Sequence, residues 1–199
     1  MPSTPLAVFV CFAALLAPLS AQKKPAIRVE IRMLAFQPDE ASDEAFAHDP
    51  AAPADAIPAK MAIKSYLNHE FSTLLLTGRR ILFTTKPDRG SLTREGELLG
   101  EATLPDGIRS AILLFLPAKP GDKASFQILA IDDSKRAFPA GSFRVSNLSP
   151  QPVRIVLEEK TYNFKPGEIQ LITDPPVRDG NQSGMKAFAF QDKAWQRIG

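Results

Sequence analysis

Cysteine is almost missing from this chain: one residue in 199, Cys11, and it lies in an apolar N-terminal run. No disulfide framework can therefore be drawn, and beyond that run there is no thiol chemistry. Histidine is nearly as scarce. His48 and His69 are the only two, no HExxH motif occurs, and no Cys or His pair has zinc-ligand spacing. An excess of one charge is lacking too. Lys plus Arg number 24 against 22 Asp plus Glu, and the signs are interspersed. A nucleic-acid partner needs a basic stripe, and Lys23-Lys24 and Arg79-Arg80 are only pairs. The phosphate-cradling patterns GxxxxGK and GxGxxG are absent, as is the nucleophile-elbow pattern GxSxG. Beyond residue 21 the longest apolar run is Ala111–Leu116. It is far short of the roughly 20 residues that span a bilayer, and it reads as a strand buried on both faces.

What is present begins with an export signal. Leu6 to Leu19 is uncharged and apolar, about 14 residues, which is too short to span and matches the apolar core of a secretory signal. Leu19-Ser20-Ala21 supplies a small residue before the cut, and polar Gln22-Lys23-Lys24 follows. The expectation is a signal peptide over 1–21, cleaved after Ala21, with the product periplasmic or extracellular. Val10 stands before Cys11 where a lipoprotein has a small residue, which points to a free protein. The segment beyond the cut is long enough for one ordinary domain or two small ones, and for a real core.

Ile27, Val29, Ile31 and Met33 alternate with Arg28, Glu30 and Arg32. That period of two marks a strand with one face in the core. Residues 38–60 hold four prolines and many Ala and Asp, so the expectation there is a long loop, disordered in preference to functional. Strand signals then recur at 62–67, 71–77, 80–85, 98–104, 110–116, 126–131, 142–147, 153–158, 168–173 and 185–190. A helix stays open near 68–75, where Leu67, Phe71, Leu74 and Leu75 have helical spacing. Turn formers separate the strands, among them Pro105-Asp106-Gly107, Pro120-Gly121-Asp122 and Lys165-Pro166-Gly167. Short strands at such intervals predict an all-β, antiparallel β-sandwich over 26–190, followed by a C-terminal tail at 191–199. Strands never alternate with long amphipathic helices, which argues against a nucleotide-binding α/β fold.

Phe138-Pro139-Ala140-Gly141-Ser142-Phe143-Arg144-Val145-Ser146-Asn147-Leu148-Ser149, then Val153–Leu157 and Lys165-Pro166-Gly167-Glu168, resembles the rear half of Ig-like or transthyretin-like sandwiches found in exported bacterial proteins. The resemblance is mostly turn geometry. It implies an Ig-like fold and an envelope setting, and it carries over no catalytic or binding residue.

Individual residues point to little chemistry. Asp132-Asp133, Asp174 and Asp179-Gly180-Asn181 offer oxygens for calcium, but none follows an EF-hand pattern, and turn carboxylates ordinarily bond their own backbone. His69 is the only candidate base in an ordered segment and has no Ser-His-carboxylate spacing around it. The phenylalanines Phe71, Phe83, Phe115, Phe126, Phe143, Phe164, Phe188 and Phe190 read mainly as core. Trp195 reads as a lid over one end of the sandwich. Asn147-Leu148-Ser149 and Asn181-Gln182-Ser183 are glycan sequons, chance occurrences in a bacterium. No catalytic, cofactor or metal residue is assigned. The functional expectation is a non-enzymatic module that binds or supports another macromolecule of the envelope or exterior. Two other readings stay open: a carboxylate-dependent glycan hydrolase, and a small apolar-ligand carrier with a pocket at Phe115 and Phe126. Expressed in a bacterium, the secreted form is expected to begin at Gln22 on N-terminal sequencing, and a secreted chain beginning at Met1 would contradict the signal reading.

Overall fold

The structure is a computed structural model that describes residues 25–36, 44–67, 69–180 and 182–199. The expected export signal over 1–21, the acidic residues Asp39, Glu40 and Asp43, and Asn181 lie outside the described residues.

The protein is all-β. Its strands are β1 (Ile27–Ala35), β2 (Glu44–His48), β3 (Ala59–Ala62), β4 (Ser72–Leu76), β5 (Arg80–Thr84), β6 (Leu98–Thr103), β7 (Ser110–Pro117), β8 (Phe126–Asp132), β9 (Phe143–Ser146), β10 (Val153–Leu157), β11 (Lys160–Phe164), β12 (Ile169–Ile172), β13 (Met185–Gln191) and β14 (Ala194–Arg197). They pair into sheets of order β4-β1-β7-β8, β3-β2-β5-β6, β11-β10-β13-β14 and β12-β9.

The first two sheets bury one shared hydrophobic cluster. From one sheet come Val29, Ile31 and Met33 of β1, Leu113 and Phe115 of β7, and Phe126 of β8; from the other come Ala45, Met61, Ile81 and Phe83. Phe115 stands between the sheets, edge-on to Phe83 with centroids 5.4 Å apart and to Phe126 at 5.8 Å. Fully burying such a ring contributes about 1.5–3 kcal/mol by area alone, and edge-to-face pairs add specificity of position. Along one margin the two sheets close on each other. Gly100 of β6 lies so near β8 that an added Cβ would sit 2.6 Å from the Phe126 carbonyl oxygen and 2.8 Å from the Ile128 side chain. A smaller cluster, Leu157, Phe164 and Ile172 with Val145, Ile155 and Tyr162 against it, belongs to the strands from β9 onward.

Several expectations need correction. The sheets are not antiparallel throughout, because β1 and β7 run parallel, Glu30 opposite Ser110 and Ala35 opposite Phe115. These strands are far apart in the chain, and the connection passes through the whole β2–β6 group, which gives it the length a parallel return requires. Residues 38–60 are not a loop throughout. Glu44–His48 forms β2, and Ala59 and Lys60 open β3. Ala and Glu are poor strand formers in isolation, but here β2 is paired on both sides and Ala45 and Ala47 face the core. The tail at 191–199 contains β14, which returns along β13 through Asp192 and Lys193, both at positive φ. That is the two-residue hairpin geometry ordinarily marked by Asn-Gly, and Asp-Lys does not announce it. Near 68–75 the period is two, with Leu74 and Leu76 buried and Thr73 and Leu75 exposed, so β4 forms rather than a helix. Of the phenylalanines, Phe83, Phe115, Phe126 and Phe164 are buried, whereas Phe71, Phe143 and Phe190 are exposed. Phe71 instead covers the Arg32 guanidinium, 4.9 Å from the ring centroid.

Gly100→Ala is expected to destabilise the protein by about 1–3 kcal/mol, the usual cost of overpacking. Urea denaturation checks this, and a midpoint equal to wild type would show that β6 and β8 are not in close contact.

Candidate functional site

At the margin opposite, β4 and the segment before β3 line a cleft. Backbone hydrogen bonds show which way β1 faces. The Ala35 amide donates to the Lys64 carbonyl and the Lys64 amide to the Met33 carbonyl, while the Glu30 amide donates to Arg109 next to β7. Odd-numbered residues of β1 thus direct their backbone groups toward the β4 side and even-numbered ones toward β7. In the β1–β4 register Ile27, Val29 and Ile31 oppose Leu76, Leu74 and Ser72. Those three β4 residues therefore spend their amides and carbonyls on β1, and Thr73 and Leu75 direct theirs outward. Next in the outward series is Thr77, whose amide donates to Asp49 Oδ2 at 2.6 Å and whose hydroxyl donates to the same oxygen at 2.7 Å. Asp49 Oδ1 accepts from the Ala51 amide at 2.9 Å. An aspartate side chain has taken the place of a neighbouring strand at that point, and along the rest of the edge no strand pairs with β4 among the described residues.

That edge forms one wall of the cleft, of about 270 Å³, with the segment Ala56–Ala59 opposite and His48 and Arg89 also lining it. Ile57, 92 % exposed, and Leu75, 69 % exposed, flank the mouth. Arg89 sits at the start of a short 3-10 turn, Arg89–Leu92. Its guanidinium makes only long contacts, 3.5 Å to the Asp49 carbonyl and 3.4 Å to the Ala52 carbonyl. Among the described residues no carboxylate lies within ion-pair distance of it.

Beneath Arg89 is a buried polar cluster. His48, 3 % exposed, has Nε2 2.8 Å from Thr84 Oγ1. The single Thr84 hydroxyl proton goes to the Lys86 carbonyl at 2.6 Å, so Nε2 must carry the proton that joins His48 to Thr84. Ser91 Oγ, also buried, donates to the Asp88 carbonyl at 2.6 Å and contacts the Lys86 carbonyl at 3.1 Å. Burial pushes the His48 pKa below its ordinary 6.5, and the positive charge of Arg89 acts in the same direction. The backbone hydrogen bond at Lys86 and the charge of Asp88 oppose this in part. The imidazole is thus a neutral donor that fixes the 84–91 turn. It offers Thr84 no lone pair, and both hydroxyls are committed to carbonyls, so the cluster activates no nucleophile.

The other residues weighed from sequence are scattered. His48 lies in β2 rather than in a loop, and His69 is exposed. Asp132 Oδ1 accepts from the Ser134 amide, and Asp133 pairs with Arg32 in a largely buried ion pair. Among the described residues no three His, Cys, Asp or Glu gather as a metal cluster. Asn147 is buried, and its Nδ2 donates to the carbonyls of Gln151 at 2.8 Å and Lys165 at 3.0 Å, so the first sequon residue is a structural peg with its nitrogen enclosed. Trp195 packs edge-on against Phe190 at 5.3 Å, and the Arg154 guanidinium lies over it at 4.0 Å. A second, wider groove of about 840 Å³ runs between residues 92–98 and 121–125 and includes Glu95 and Asp122, both exposed. No helix among the described residues is long and apolar enough to cross a membrane. Sequence reasoning missed Arg89, Ile57 and the β4 edge. Arg89 stands in the turn-forming stretch Lys86-Pro87-Asp88-Arg89-Gly90, which carries no local sign of a site, and a strand edge has no local signature either.

The chain matches no protein-family model, no curated protein and no solved structure in the comparisons made.

Because His48 binds its proton less readily when folded than when unfolded, its contribution to stability is complete above pH 6.5. It is lost as the pH falls from 6.5 through the lower folded-state value, at no more than about 1.4 kcal/mol per pH unit. His48→Gln is expected to flatten that part of the profile. Urea unfolding at pH 7.5 and pH 5.5 checks it, and an equal drop in both proteins would remove His48 as the cause.

Proposed function

We propose that the chain is an exported, non-enzymatic module, built as an Ig-like or transthyretin-like β-sandwich, that binds another macromolecule of the cell envelope or exterior. The reading is carried by the way the buried polar side chains are used. His48, Thr84, Ser91 and Asn147 all spend their hydrogen-bonding groups on backbone or on each other, which is the use expected of a scaffold. The apolar run at Leu6–Leu19 supports export, and the resemblance over residues 138–168 supports the sandwich topology. A small-ligand carrier is disfavoured because Phe115 and Phe126 fill the space between the sheets with their own rings.

A glycan hydrolase is the second reading, favoured by one observation: Glu95 and Asp122 line the same groove. Both are exposed, whereas the proton-donating carboxylic acid of such enzymes is held in an apolar or charged environment. The test exposes the purified protein to native envelope and culture fluid. The expected result is saturable capture of a macromolecule, competed by excess free protein, with no release of reducing ends. Release of reducing ends that is lost in Glu95→Gln and Asp122→Asn would replace this proposal with the hydrolase.

A further inference from the structure

We infer that the cleft beside β4 receives an extended acidic peptide segment of a partner protein, added as a strand on the free edge of β4 with its carboxylate against Arg89. This rests on the reading of the chain as a binding module and names its site and the chemistry of its partner.

Three observations converge on the cleft. The first is the set of unpaired backbone groups. Thr73 and Leu75 present amide and carbonyl away from β1, and among the described residues no backbone group pairs with them. Buried backbone groups demand hydrogen bonds, so an apolar partner could not cover this edge, while an extended backbone matches it. The second is the absence of the usual protection. Exposed edges are ordinarily guarded by charges, proline or a bulge, and Ser72-Thr73-Leu74-Leu75-Leu76 has none of these. Its outward side chain Leu75 and the facing Ile57 are both large, apolar and exposed. An incoming strand would lay alternate side chains against them. The third is charge. Arg89 lines the cleft with only long contacts to carbonyls, while the one carboxylate among the lining residues, Asp49, is already held by Thr77 and Ala51. A guanidinium fork is matched best by a carboxylate.

The cleft's place also fits. Asp49 blocks the edge at Thr77, so an added strand is confined to the stretch alongside Thr73–Leu76. A volume of about 270 Å³ suits a short segment rather than a domain.

The test uses random eight-residue peptides displayed on phage, selected against the purified protein, with synthetic copies of the enriched sequences titrated by fluorescence anisotropy. The expected enrichment is for alternating aliphatic residues with an Asp or Glu. Leu75→Lys, which places a guarding charge on the edge, and Leu75→Pro, which deletes an outward amide not used by β1, are each expected to weaken binding by about tenfold or more. Arg89→Gln is expected to weaken acidic peptides by a similar factor and leave their Gln-substituted versions unaffected. Circular dichroism and urea midpoints identify any variant that fails to fold, and binding is read from the others. No enrichment, enriched peptides that bind all three variants equally, or sedimentation of the free protein as a dimer that Leu75→Lys dissolves would each overturn the inference. If the peptides fail but saturable capture from native envelope persists, the broader binding reading stands without this site. If both fail, both fall.

Discussion

The packing of Phe115 between Phe83 and Phe126 is the contact on which the rest of the first two sheets depends. It joins β7 and β8 of one sheet to β5 of the other, deep in the shared cluster. With the sheets pinned there, the margin at β6 and β8 has no space to spare, which is why a residue without Cβ stands at position 100. At the other margin β4 and residues 56–59 line the cleft. After β3 the chain pairs with β1 at Lys64, beyond the end of β4, and among the described residues β4 pairs with β1 alone.

The buried polar cluster serves that arrangement. β2 and β5 are neighbours, and His48 and Thr84 meet at their ends. The bonds from Thr84 and Ser91 to the Lys86 and Asp88 carbonyls fold the 84–91 turn back on itself. That turn carries Arg89 to the cleft. A neutral histidine suits this position, since a second positive charge below Arg89 would be both desolvated and repelled. The cluster therefore ties the turn that carries Arg89 to β2 and β5.

Much of the strand pattern was legible because it follows from periodicity and turn chemistry. Val29, Ile31 and Met33 alternate with charged neighbours, and β1 buries those three. Ala111–Leu116 is a continuous apolar run, and Leu113, Leu114 and Phe115 are all buried. The strands that escaped notice are those whose cause is tertiary. β2 is made of Glu-Ala-Phe-Ala-His, which is weak strand material until two neighbours pair with it. β11 follows a tight turn at Glu158-Glu159, and β14 follows one at Asp192-Lys193, neither with the glycine that would flag it. The parallel pairing of β1 with β7 was hidden for the same reason, because it depends on which strand lies beside which. The cleft was the least legible feature. Ile57, Leu75 and Arg89 are far apart in sequence, and what unites them is the cleft along the outer edge of β4.

Among the described residues β4 is paired with β1 alone, and the proposed binding edge depends on that edge being open in the free protein. Native-state amide hydrogen exchange tests it directly, residue by residue. Slow exchange is expected at Leu74 and Leu76, fast exchange at Thr73 and Leu75, and renewed protection at Thr77, where Asp49 holds the amide. Protection of Thr73 and Leu75 equal to that of Leu74 and Leu76 would contradict it, because the edge would then already be covered.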